Sequence, residues 1–139
     1  MPIAKMEFNQ IVKTKFGTIL ESKEFKLEND TKGEVEFTST NLTIKFVYNE
    51  RERHTSYFLK HSEYNSAFEN WVVEEFLEIK FKPVFGLTSR EEKIALWANE
   101  RSAYFASNRK DFLSGDRNLF KELNEFFEKK NREYNKRFG

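Results

Sequence analysis

Cysteine is absent from the 139-residue chain. Its absence excludes disulfides, thiolate nucleophiles and Cys-ligated zinc or iron–sulfur sites, and it suits a cytoplasmic location. No stretch approaches the roughly 18 consecutive apolar residues of a membrane span. The opening MPIAKMEFNQ lacks the apolar run of a secretory signal. A surplus of one charge is missing too. The 24 basic and 23 acidic side chains leave a formal net charge of +1, so no global field draws in a polyanion. Nor is there a GxGxxG, a GxxxxGK(S/T) or an HExxH. The three aspartates, Asp30, Asp111 and Asp116, form no DxD run. Loops that cradle phosphate and runs that hold metal therefore have no carrier, and no cofactor is expected.

What the chain does have is phenylalanine. Phe occurs 16 times and aromatic residues make up 17% of the chain, against a modest 38% hydrophobic content. Each ring buries on the order of 150–250 Å², so a few rings can replace many aliphatic side chains. The length suits one domain, residues 1–139. A chain of this size buries roughly two thirds of its unfolded surface and needs no covalent staple.

Hydrophobic periodicity orders the elements. Phe8, Ile11, Val12, Phe16, Ile19 and Leu20 fall on one helical face. Turn residues Asn29, Asp30 and Gly33 follow. Phe25 and Leu27 are candidates to start a strand. Val35 and Phe37 then alternate with Glu34, Glu36 and Thr38. After Ser39-Thr40-Asn41, residues Leu42, Ile44, Phe46 and Tyr48 alternate with Thr43, Lys45 and Val47, the clearest period-2 pattern in the chain. A charged turn at Asn49–Glu52 leads into RHTSYFLK. These strands read as an antiparallel meander of three to four strands with one buried face.

From Ser66 the period changes to that of a helix. Phe68, Trp71, Val72, Phe76 and Ile79 predict a helix over 66–81, with Ser66 and Glu69 at capping-box spacing and Pro83 as the stop. A third helix carries Ile94, Trp97, Ala98, Arg101 and Phe105, with Thr88 or Ser89 as N-cap. Arg101 stands on an apolar face and requires a partner. Asp116 is placed to cap a last helix bearing Leu119, Phe120, Leu123, Phe127 and Tyr134. Strands grouped together, then helices, give an α+β fold with three helices packed after the meander on one face of the sheet.

Chemistry-bearing residues are few. His54 and His61 are seven apart on a strand, hence on opposite faces, and cannot share a metal. His54-Thr55-Ser56 lacks the strand–turn–helix elbow of a catalytic serine. The segment NERERH reads as a solvated hairpin tip. The tail EKKNREYNKRFG is rich in Lys and Arg, but the chain as a whole is not basic.

In order and pattern the chain resembles a loose group of small, largely uncharacterised bacterial α+β proteins. The likeness runs through KFGTIL, the EVEF…NLTIKFVYNERE meander, WVVEEFLEI and the closing LFKELNEFFEKKNREYNKRFG. Some members look like immunity proteins of polymorphic or contact-dependent toxin systems. The resemblance implies a non-enzymatic protein-binding module whose partner is another protein, such as a toxin domain. The absence of a membrane span argues for no membrane partner, and the balanced charge disfavours nucleic acid. Arg51, Arg53 and Tyr57 around the hairpin are the candidate contact residues, because arginine and tyrosine are favoured interface anchors. Two alternatives stand beside it: an enzyme using His54 or His61 as acid–base, and a nucleic-acid adaptor using the C-terminal helix. Homodimerisation through a strand edge or the last helix is left open.

Overall fold

The computed structural model describes residues 3–52, 54–81, 90–107 and 113–138. Helix α1 (Ile3–Ser22) precedes strands β1 (Lys26–Thr31), β2 (Glu34–Thr38), β3 (Leu42–Asn49), β4 (His54–His61) and β5 (Phe68–Glu69). Helices α2 (Asn70–Phe76), α3 (Arg90–Ser107) and α4 (Arg117–Phe138) follow. The sheet order is β1-β2-β3-β4-β5, and every neighbouring pair is antiparallel. This is the expected α+β meander, extended to five strands.

Alternation along β3 decides which face is covered. Leu42, Ile44, Phe46 and Tyr48 are buried, while Thr43, Lys45 and Val47 are only partly so. The pairing register sets Val35 and Phe37 of β2 and Tyr57, Leu59 and His61 of β4 beside the buried set. Onto this inner face α1 lays Phe8, Val12, Phe16 and Leu20, all fully buried. Their constant spacing of four keeps them on one stripe. The Phe16 ring meets Phe46 at 4.5 Å and Phe105 of α3 at 5.2 Å. From α4, Phe120 and Phe127 pack on His61 and Phe68, at 5.0 and 5.3 Å. One aromatic core thus joins all four helices to the sheet. Each such side chain contributes about 1.5–3 kcal/mol by leaving water.

Two elements differ from the sequence reading. Asn29 and Asp30, expected in a turn, belong to β1, which absorbs the irregularity as a bulge between Leu27 and Asn29. The turn narrows to Lys32 and Gly33, and Gly33 supplies the positive φ of 85°. The helix expected over 66–81 is also shorter. Phe68 and Glu69 pair with Leu59 and Phe58 as β5, so helix starts only at Asn70, with Glu69 at the cap position and Ser66 outside it. Pairing with the sheet edge outweighs the helical period there. Pro83, Thr88 and Ser89 lie outside the described residues.

The helix ends share a device. At the end of α1, Phe25 N–H bonds Leu20 C=O (2.9 Å) and Glu24 N–H bonds Glu21 C=O (3.1 Å). At the end of α2, Ile79 and Glu78 repeat the pattern to Glu74 and Glu75, at 2.8 and 3.1 Å. These are Schellman closures, whose left-handed residue is usually glycine. Here it is Glu24 (φ 69°) and Glu78 (φ 57°). By contrast α4 starts as expected: Asp116 Oδ1 accepts the Asn118 N–H at 3.2 Å.

Asn9 of α1 locks the β1–β2 turn, which no sequence pattern singled out. Its Nδ2 donates to Asp30 Oδ1 (2.8 Å) and the Thr31 carbonyl (2.6 Å), and its Oδ1 accepts the Gly33 N–H at 3.1 Å. Lys13, one turn on, pairs with Asp30 at 2.6 Å. The Lys13 and Asn9 hydrogen bonds hold the Asp30 carboxyl below its ordinary value.

Two tests follow from these contacts. Replacing either left-handed glutamate with glycine (Glu24→Gly, Glu78→Gly) should raise the urea unfolding free energy by about 1 kcal/mol. A depressed folded value means that Asp30 stabilises the fold fully above about pH 4, and that this contribution fades as pH falls through the folded value. Asp30→Asn should therefore destabilise at neutral pH, and its deficit against the parent should shrink on acidification, as followed by urea melts along a pH series.

Candidate functional site

The β3–β4 hairpin carries the residues that the sequence favoured. Asn49 pairs with His54, and residues 50–52 turn after Asn49. Asn49 Oδ1 accepts the Glu52 N–H at 3.1 Å and closes the tip. Arg51 is exposed there, and Arg53 lies outside the described residues. Tyr57 is not at the tip surface. It faces inward and is 2% exposed, because an odd offset from His54 puts it on the inner face of β4. Arg51 is exposed in the turn and Tyr57 is buried in the core, so the two share no surface.

Tyr57 belongs instead to a buried polar cluster. The Glu74 carboxylate on α2 accepts Arg101 Nε at 2.9 Å and Nη2 at 3.1 Å, a two-pronged bond from α3. Asn70 Nδ2 lies 3.5 Å from Glu74 Oε1, and the Glu74 charge acts on the buried Tyr57 phenol. The Arg101 guanidinium carbon sits 4.3 Å from the centre of the Phe81 ring and 4.8 Å from that of Trp97. Burial first, and the Glu74 charge second, push the Tyr57 hydroxyl well above its ordinary range, so it stays a donor. The cluster answers the partner that Arg101 required, and it holds α2, α3 and β4 together.

The histidines part as expected. His61 is 3% exposed. Its Nε2 lies 3.0 Å from Gly115 C=O, and its Nδ1 accepts the Glu63 N–H at 3.1 Å. These partners assign the proton to Nε2. Both ring nitrogens are thus committed to the main chain. His54 is on the outer face, with Nε2 3.9 Å from Glu69 Oε2. Ser56 shares that face, but no described hydrogen bond joins it to His54. Among the described residues no group of three or more His, Asp or Glu could hold a metal.

The outer face of the sheet is where exposed chemistry gathers. Below the hairpin tip, Val47, His54, Ser56, Phe58 and Glu69 line a concavity of about 480 Å³, with Asn49 and Glu52 at its rim. Lys45 sits across the register from Phe58, and its Nζ is 3.7 Å from Glu34 Oε1. An apolar middle, Val47 and Phe58, is thereby framed by both signs of charge. Phe58 escaped the sequence reading because Tyr57 and Phe58 are adjacent aromatics. Only the pairing register says which of them faces out.

Among the described residues no helix is long and apolar enough to cross a membrane. Comparison with known proteins matched no family, no curated protein and no solved structure.

The cluster makes a stability prediction. Arg101→Ala leaves Glu74 buried without its counter-charge and should cost about 3–5 kcal/mol. The paired change Glu74→Leu with Arg101→Met should cost clearly less than that. Thermal and urea melts of the single and double variants provide the comparison.

Proposed function

We propose that the chain is a non-enzymatic protein-binding module, in the manner of an immunity protein that neutralises a toxin domain. Its docking surface is the outer sheet face continuing into the β3–β4 hairpin. One observation carries this reading: the face around Val47 and Phe58 is left uncovered by any described helix and is framed by Lys45, Glu34, His54 and Glu69. An aromatic centre with a charged rim is the usual anatomy of a specific protein interface. Charges of both signs favour orientation and rapid docking over bulk attraction, in keeping with a net charge of +1. The face is also stiff. Each outward side chain alternates with one locked into the core, so little order must be gained on binding. Arg51 extends the surface at the tip.

The test is direct. A tagged chain expressed in its source cells should retain one stoichiometric protein partner and protect cells from it in a growth assay. Phe58→Glu with Arg51→Glu should weaken that binding at least tenfold, about 1.4 kcal/mol. Lys121→Glu, on exposed α4, should leave it unchanged. Equal binding by the parent and the Phe58/Arg51 variant would remove the proposed surface.

A further inference from the structure

Among the described residues, two of the three large apolar side chains that stand well exposed, Trp71 at 52% and Tyr134 at 63%, lie on α2 and α4. These helices touch in a defined register. Phe76 packs on Phe126 at 5.5 Å, and Glu75 bonds Lys130 at 2.7 Å. Moving toward the end of α4 therefore means moving back toward the start of α2. One turn beyond the Glu75–Lys130 pair, the helices carry Tyr134 and Trp71, so both aromatics come to the same end of the helix pair.

Charge divides across this region. Of the 24 basic and 23 acidic side chains, five basic and two acidic ones fall in residues 128–139, which leaves the tail net basic and the rest of the chain net acidic. Every residue from Asn131 to Asn135 is exposed, so this part of α4 projects past the body. On α2 and the segment after it, Trp71, Glu74, Glu75, Glu78, Ile79 and Phe81 line a groove of about 790 Å³ that also holds Lys80. Glu78, which has no ion pair among the described residues, stands past the end of α2 opposite to Trp71. From Lys130 onward the backbone of α4 runs toward the other end, so positions 132 and 136 lie away from Glu78.

We propose that a second copy of this chain occupies the groove, in a twofold dimer built on α2 and α4. An axis passing near Trp71 and Tyr134 sets the two α4 helices antiparallel. The basic tail of each copy then runs back along the partner's groove, from the position of Trp71 toward that of Glu78. Both exposed aromatics are covered at the centre. Each contact is made twice, as a self-complementary interface requires. The surface lies on the helical layer and not on the outer sheet face, so dimerisation and partner capture can be read separately.

Sedimentation equilibrium on the full chain, from micromolar to several hundred micromolar, tests the assignment. The expected result is a reversible monomer–dimer equilibrium that weakens as salt is raised. Trp71→Ala should weaken it at least tenfold while leaving the circular dichroism melt unchanged, since the side chain is exposed. Lys136→Glu with Arg137→Glu should weaken it similarly, and adding Glu78→Lys should restore it. A monomer at every concentration overturns the proposal. So does a dimer indifferent to Trp71→Ala, or one that the third substitution fails to restore.

Discussion

The bond between Glu74 and Arg101 is the constraint on which the helical layer depends. A carboxylate and a guanidinium share a site where their side chains are 11% and 12% exposed. Water is replaced there by fixed donors and by two aromatic faces. Helix α2 has only seven residues, too few to persist by its own hydrogen bonds. It is held by what its side chains grip: Glu74 toward α3 and β4, Phe76 toward α4. Desolvating such a pair is costly, so its value lies in specificity. The two-pronged bond fixes the distance and orientation of α2 against α3.

Strand β4 shows how one segment serves two purposes. Tyr57 and Leu59 point into the core, and Ser56 and Phe58 point to the outer face. The surface around Phe58 thereby inherits the rigidity of the core behind it. That arrangement suits recognition by shape. On the inner face of the same strand, His61 has both ring nitrogens taken by the main chain.

The architecture was readable in the sequence wherever a hydrophobic period ran long enough. The stripe Phe8, Val12, Phe16, Leu20 and the alternation Leu42 to Tyr48 each name one structure and one buried face. Arg101 announced a buried partner by standing on an apolar face, though not which carboxylate would supply it. Where runs were short, local pattern misled. Phe68 keeps helical spacing with Trp71 and Val72, yet the open edge of β4 takes Phe68 and Glu69 as a strand. Asn9 gave no signal, because a polar residue on a helix looks solvent-facing until the turn it clamps arrives from 21 or more residues away. The site was the least legible part. Tyr57 was chosen for its residue type, and type says nothing about which side of a strand is wet.

The meander also bears on how quickly the chain can find its fold. Successive strands are joined by only two, three, four and six residues, so each pairing closes a small loop at little entropic cost. The sheet can zip from hairpin to hairpin in the order of synthesis. The helical cover is different: α1 is made first, but its partner α3 begins only at Arg90. The slow, topologically distant step is therefore the closing of α1 and α3 over a sheet that is already formed.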